Sequence, residues 1–166
     1  MKIYRAAGKA LIILSILTVV TSVKATTQYW HTNVEQTDEG TVCYLLAHPQ
    51  ASANSDAVDT RITAFIKMRS TSPVRTEFST EANLDLSASD SIKLVIDKKL
   101  YKLKAVANQA WLKAADKETE VVLRMLTSKD FSIIASTKGS VTQYTYKLDG
   151  LKQALREIQS QCKSPA

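Results

Sequence analysis

Apolar and polar residues alternate along much of this chain, and a two-residue period predicts short β-strands. The clearest strand is the segment 59–69, where alternate positions carry Ile62, Ala64, Ile66 and Met68. The positions between them carry Arg61, Thr63, Phe65, Lys67 and Arg69. Because successive side chains point to opposite faces of a strand, one face packs and the other meets solvent or a neighbour.

Similar patterns predict strands at 26–34, 42–48, 74–82, 109–113, 131–137 and 141–148, and a hairpin at 92–106. A polar turn separates the first two strands at 35–41, and a polar loop covers 83–91. The hairpin turns near Asp97, Lys98 and Lys99 without a glycine, so its turn type stays open. We expect about eight short strands.

Two segments change to a helical period. In 116–128 the apolar stripe consists of Val121, Val122, Met125 and Leu126. Asp116 is the expected N-cap of this helix, and Glu118 and Glu120 favour its positive end. A second helix opens after Asp149 and Gly150, and one face of it carries Leu151, Ala154, Leu155, Ile158 and Cys162.

The order of these elements decides the fold class. Strands dominate and do not alternate regularly with helices. This favours a mainly β antiparallel sandwich over a parallel α/β sheet. Two short helices accompany the strands, the second at the C-terminus.

The first 25 residues have the three-part pattern of a secretory signal peptide. Basic residues precede an uncharged apolar run at 10–23, and Ala25 ends a segment that a signal peptidase could cut. A retained membrane anchor is the alternative, but the run is shorter than the roughly 20 residues of a spanning helix. We therefore expect one domain, 26–166, that is exported to the periplasm, associated with the outer membrane or secreted.

The basic charge belongs largely to this segment. The whole chain has a formal net charge of +6, but the first 25 residues contain four of the 22 basic side chains and no acidic one. Without them 18 basic side chains face 16 acidic ones, a net charge of +2. The charge therefore gives no reason to expect a nucleic-acid partner.

The chain has two cysteines, Cys43 and Cys162. In an oxidising compartment an even number of cysteines predicts disulfides, and two cysteines allow only one pairing. A redox or nucleophilic cysteine is the alternative. It has no CxxC motif to support it, and Cys162 falls in the last turn of a helix, where low-pKa thiolates are not favoured.

Catalytic patterns are weak throughout the sequence. The two histidines, His31 and His48, belong to no cluster with metal-ligand spacing, and no serine stands in a GxSxG sequence. The four glycines form no phosphate-binding loop. Two pairs of carboxylates are close in sequence and could act as acid–base pairs. A solvated loop is the simpler explanation for Asp56 and Asp59, and the first turn of a helix is the simpler one for Glu118 and Glu120. We expect no enzyme activity, no cofactor and no metal.

Two features could mark a contact surface. Trp30 and Trp111 are recognition residues or core fillers, and packing is the commoner role. The predicted hairpin concentrates basic residues: Lys93, Lys98, Lys99, Lys102 and Lys104. A basic face suits an acidic headgroup or an anionic glycan. The alternative is that these lysines protect an exposed sheet edge from aggregation.

Several stretches resemble the invasion-associated locus B family of exported bacterial proteins. They include VCYLLAHP, RITAFIKMRSTSPVRTEFS, IKLVIDKKLYKL, AWLKAAD and KGSVTQYTYKLDGLKQALREIQSQC. The match runs in order through nearly all of 26–166 and is most specific at the end, from Lys138 to Cys162. Two positions depart from the pattern: Lys98 follows Asp97 where Asp-Gly is common, and Tyr144 replaces an acidic residue.

The resemblance implies an immunoglobulin-like β-sandwich, a disulfide between Cys43 and Cys162, and a Gram-negative envelope protein connected with host-cell invasion. It supplies no catalytic or ligand residues. Our first hypothesis is a non-enzymatic binding or adhesion factor whose partner is a protein, a glycan or an envelope component, with at most peripheral membrane contact. The rival hypotheses are an envelope-maintenance or outer-membrane-assembly accessory protein and, third, a hydrolase built on one of the histidines.

Overall fold

The computed structural model describes residues 29–38, 40–50, 62–69 and 75–163. These residues form nine strands and two α-helices. The strands are β1 His31–Thr37, β2 Gly40–Ala47, β3 Ile62–Arg69, β4 Arg75–Ala82, β5 Ser91–Ile96, β6 Lys99–Val106, β7 Gln109–Leu112, β8 Asp130–Thr137 and β9 Ser140–Lys147; the helices are α1 Glu118–Met125 and α2 Leu151–Lys163. The predicted signal peptide, the start of the first predicted strand and the first three residues of 59–69 lie outside the described residues.

All nine strands belong to one antiparallel sheet in the order β1-β2-β3-β4-β7-β6-β5-β8-β9. Most neighbours are consecutive hairpin partners, and the pairs β4–β7 and β5–β8 are the exceptions. The mainly β antiparallel fold with a second helix at the C-terminus is confirmed, with nine strands rather than about eight. The immunoglobulin-like arrangement implied by the resemblance stays a prediction.

The sheet folds back on itself around the core. Tyr146 of β9 donates its hydroxyl to the carbonyl of Ile62 in β3, and Phe131 of β8 packs edge-on against Phe78 of β4, with ring centroids 6.0 Å apart. At about 4.8 Å per strand, β3 and β9 would be separated by roughly 29 Å in a flat sheet. These contacts therefore require the two halves of the sheet to face each other as a sandwich.

Side-chain alternation places the core as the sequence predicts. On β3 the four apolar positions Ile62, Ala64, Ile66 and Met68 are each at most 1% exposed, whereas the residues between them are half-buried. On α2 the predicted apolar face is buried throughout: Leu151, Ala154, Leu155, Ile158 and Cys162. The helix lays this face against β1 and β2.

The turn between β5 and β6 is now defined. Asp97 and Lys98 both have positive φ, at 46° and 66°. Two consecutive residues in this region are typical of a type I′ turn, whose twist matches the twist of the strands that it joins. The hydroxyl of Ser128 donates to the Asp97 carboxylate, which ties the turn to the end of α1.

Two predictions about element ends were wrong. Asp116 is not the N-cap of α1: it lies in a 3-10 turn, Ala115–Lys117, whose backbone hydrogen bonds lead the chain into the helix, and Lys117 takes the N-cap position without a side-chain bond. The first strand continues past 34 to Thr37, within the predicted turn. Residues 35–37 are polar, but they continue the edge strand because their backbone pairs with β2.

Candidate functional site

The structure divides the five lysines of the predicted basic surface between different places. In the register of β5 and β6, Lys93 lies directly opposite Lys102. The neighbouring positions Ile92, Leu94 and Leu103 are buried, so the alternate positions, Lys102 and Lys104 among them, face outward. We call Lys93, Lys102 and Lys104 the outer lysine face. Lys98 lies in the turn. Lys99 is the strand partner of the buried Ile96, so its side chain lies on the other side of the sheet from the outer lysine face.

Lys99 belongs to a network that joins the hairpin to α1. Its ammonium group binds the carboxylate of Glu120, which also accepts a hydrogen bond of 2.8 Å from the hydroxyl of Tyr101. Arg124 donates to the same hydroxyl at 3.1 Å. The hydrogen bonds from Lys99 and Tyr101 lower the pKa of Glu120 to about 2. Lys99 therefore links the hairpin to α1.

The outer lysine face lies in the interior of the sheet. β5 and β6 are both flanked by strands, in the order β7-β6-β5-β8. Its lysines therefore protect no sheet edge, and the edge-protection interpretation is wrong. Like charges directly opposite on neighbouring strands disfavour the pairing. Within the part of the chain that the structure describes, Lys93, Lys102 and Lys104 form no ion pair that would offset this repulsion.

Half-buried apolar side chains border these lysines. Trp111 of β7 lies opposite Lys104, and Ile134 of β8 lies opposite Lys93. Trp30, by contrast, is fully buried and donates its indole N–H to the carbonyl of Lys147 at 3.0 Å. The core role expected for a tryptophan therefore holds for Trp30, and Trp111 is a partly exposed neighbour of the basic surface.

The histidines and carboxylates that the sequence singles out lie in different places among the described residues. His31 and His48 are exposed, with ring centroids 6.4 Å apart. No three or more His, Cys, Asp or Glu side chains in the described ranges are grouped so that they could hold a metal ion. Glu118 and Glu120 serve different partners, and the loop with Asp56 and Asp59 lies outside the described residues.

Glu118 connects α1 to β4. Its carboxylate accepts a hydrogen bond of 2.7 Å from the backbone N–H of Phe78. Burial raises the pKa of Glu118 from 4.5 to about 7; the bond from Phe78 opposes this rise and the nearby charge of Glu77 adds to it. The folded protein therefore holds a proton near neutral pH that the unfolded chain releases.

The Glu118→Gln substitution is expected to stabilise the protein at pH 8 by about 1–2 kcal/mol, a value reduced for partial exposure. The amide oxygen of glutamine still accepts from Phe78 but carries no buried charge. Because the folded-state pKa is the higher one, the stability of the parent protein falls as the pH rises from 4.5 to about 7. Urea unfolding between pH 4 and pH 8 measures the difference, which disappears at pH 4.

Glu120→Gln is the matched control on the same helix. The pKa of Glu120 is lowered, so its contribution to stability is present at neutral pH and is lost on acidification towards pH 2. This variant should therefore lose stability at pH 7, opposite in sign to Glu118→Gln. Equal pH profiles for Glu118→Gln and the parent protein would contradict the role given to Glu118.

The two cysteines meet at the junction of α2 and the sheet. Cys43 of β2 is 0% exposed and Cys162 is 4% exposed. Their Cα atoms are 6.0 Å apart and their sulfur atoms lie at bonding distance, so the pair closes a loop of sequence separation 119. A Cα–Cα distance of 6.0 Å is typical of a disulfide. Burial of both sulfurs leaves neither in the partly exposed setting of a reactive thiol.

Comparison with known proteins identifies a fold relative. No family model matches the chain, and no curated protein has a significantly similar sequence. Within the described residues, no helix has the length and apolar character needed to cross a membrane. The crystal structure of invasion associated protein B from Bartonella henselae matches with a TM-score of 0.53 and 11% sequence identity, covering 83% of this chain and 98% of that one. Invasion associated protein B is thus a structural neighbour of this chain, and at this identity the likeness is one of fold.

Proposed function

We propose that this chain is an exported, non-enzymatic binding protein that supports contact with a host cell, and that its outer lysine face binds an anionic partner. The observation that carries the proposal is the direct pairing of Lys93 and Lys102 in the interior of the sheet. Repulsion between the two lysines lowers the stability of the fold, and protection of a sheet edge does not explain their pairing. Binding of an anion would turn the repulsion into affinity.

The chemistry of the face indicates the class of partner. Three ammonium groups on adjacent strands supply point charges that suit sulfate, phosphate or carboxylate groups. Half-buried Trp111 and Ile134 beside them add apolar contact area. An anionic glycan or a lipid headgroup presents both kinds of contact. Each lysine near an anionic surface contributes about 1 kcal/mol.

The host-cell part of the proposal is supported by two observations. The structural neighbour is by its name an invasion-associated protein. The signal-like segment 1–25 and the paired cysteines suit a protein that works outside the cytoplasm. An envelope-maintenance role remains the rival, and it uses the same compartment.

Neutralising the outer lysine face should weaken binding to an immobilised sulfated glycan, or to vesicles with anionic lipid, by at least about 10-fold. The triple variant is Lys93→Gln, Lys102→Gln and Lys104→Gln. The matched control removes the same charge at exposed positions elsewhere: Lys129→Gln, Lys138→Gln and Lys152→Gln. Elution salt from the glycan column and vesicle pelleting measure the loss. Equal losses in both triple variants would refute a specific surface.

Cell experiments separate the two biological roles. A photoreactive residue at Lys102 is expected to crosslink the partner in intact cells, whereas one at Lys99 should not, because position 99 faces the other side of the sheet. Deletion of the protein should reduce entry into host cells. If deletion instead sensitises the bacterium to detergent or acid without a host, and entry is unchanged, the envelope role replaces the invasion role.

A further inference from the structure

The fold brings the chain's two histidines together, although they are 17 residues apart in sequence. His31 begins β1 directly opposite Leu46 of β2. His48 lies two residues beyond Leu46, and therefore on the same side of the sheet. Both side chains are exposed, and their ring centroids are 6.4 Å apart with planes tilted by 52°. The function proposed above uses neither ring.

A hydroxyl group orients one of the two rings. Thr63 of β3 places its Oγ1 3.3 Å from Nδ1 of His48. When Nδ1 carries the proton and donates it to this hydroxyl, Nε2 is the nitrogen with the lone pair. Histidines that bind metal ions commonly give their other ring N–H to such a neighbouring acceptor, which fixes the tautomer and the ring orientation.

The geometry points to a two-histidine site for a divalent transition metal ion, Cu(II) or Zn(II), formed by His31 and His48 with Thr63 as the orienting group. Imidazole nitrogen suits both ions, and Cu(II) binds more tightly than Zn(II) at most nitrogen sites. With each nitrogen about 2.1 Å from the ion, two ring centres on one tetrahedral centre lie roughly 5 Å apart. The observed separation is within reach of small side-chain rotations at this exposed position.

The site is an open one. Two imidazoles leave at least two coordination positions of a tetrahedral ion for water or for a ligand from a partner. A third protein ligand is absent among the described residues, so we expect weaker binding than in a closed structural zinc site. A bound ion would also join the start of β1 to the end of β2, next to the buried Trp30.

Titration of the chain starting at Thr26 and carrying no polyhistidine tag tests the proposal. Calorimetry with Cu(II) should show one ion per chain. His31→Gln and His48→Gln should each weaken binding at least 10-fold, and Asn33→Ala, which stands on β1 two residues from His31, should leave it unchanged. Electron paramagnetic resonance of the Cu(II) complex should show coupling to two imidazole nitrogens in the parent protein and to one in each histidine variant.

Thr63→Val separates an oriented site from two histidines that bind independently. Loss of the hydroxyl should weaken binding by about 10-fold while both imidazole couplings remain, as expected for an outer-shell partner. Unchanged affinity in either histidine variant, or coupling to a single imidazole in the parent protein, would overturn the proposal. Because all three positions lie on the outside of the sheet, thermal unfolding of the variants without metal should match that of the parent protein.

Discussion

Replacement of both cysteines, Cys43→Ala with Cys162→Ala, is expected to lower the free energy of unfolding by about 4 kcal/mol. The bond closes a loop of sequence separation 119. In the loop-entropy account, a link across a chain of this length restricts the unfolded state by about 4–5 kcal/mol. A protein of this size has only about 5–15 kcal/mol of stability in total, so the variant is close to unfolding at 37 °C.

Urea unfolding of the oxidised protein, the reduced protein and the double variant measures this effect. The reduced parent protein and the double variant should unfold at similar urea concentrations, well below the oxidised protein. Gln159→Ala on the exposed side of α2 is the control for changes to the helix itself and should stay within about 0.5 kcal/mol. If the reductant left the unfolding midpoint unchanged, the bond would be absent from the native protein or would contribute nothing to its stability.

The elements that the sequence predicts best are those with one strong period and one buried face. The buried positions of β3 follow from a two-residue period, and those of α2 from the spacing of Leu151, Leu155 and Ile158. Each pattern is local and agrees with the intrinsic geometry of its element. A local pattern of this kind predicts the buried face without any knowledge of how the rest of the chain folds.

Features that depend on strand order could not be predicted in the same way. Nothing in the sequence near Lys93 or Lys102 shows that β5 pairs with β8 and β6 with β7, and those pairings put the lysines in the sheet interior. The two-residue period of β6 does predict that Lys99 and Lys102 lie on opposite faces of the sheet. It does not predict Glu120 as the partner of Lys99, because Glu120 comes from a helix 21 residues further on.

The turn and the histidine pair show two further limits. Asp97-Lys98 adopts positive φ at both residues without the glycine that usually marks such a turn, because the strand pairing on either side imposes the geometry. His31 and His48 meet only because β1 and β2 pair in a register that places His31 opposite Leu46. A one-residue shift of that register would put the two rings on opposite faces.

Helix α1 has a role that its sequence only partly indicates. Its first turn carries two glutamates, which the sequence explains by the helix dipole. The structure adds that Glu118 reaches the backbone of β4 at Phe78, whereas Glu120 reaches the basic hairpin at Lys99 and Tyr101. One helical turn thus joins two strands that are not neighbours in the sheet. It holds the turn end of the hairpin that presents the outer lysine face.

Phe131→Ala is the second substitution from which we expect a large effect, a loss of about 3–5 kcal/mol. Phe131 is 1% exposed and contacts three aromatic rings from different parts of the chain. It stacks on Tyr146 at 4.6 Å and meets Phe78 edge-on at 6.0 Å and Trp30 at 6.5 Å. Since these rings come from both halves of the folded sheet, the cavity would lie where the halves are held together.

Phe131→Leu, which keeps much of the apolar volume, should lose about 1–2 kcal/mol and stays measurable if the alanine variant is too unstable to purify. Val141→Ala is the exposed control: its side chain is 70% exposed on β9 and should change stability by less than about 0.5 kcal/mol. Urea unfolding followed by tryptophan fluorescence gives the three values. Because Trp30 lies beside Phe131, its emission should shift to longer wavelength in the alanine variant. A Phe131→Leu protein as stable as Val141→Ala, with unshifted emission, would show that the aromatic cluster does not hold the sandwich together.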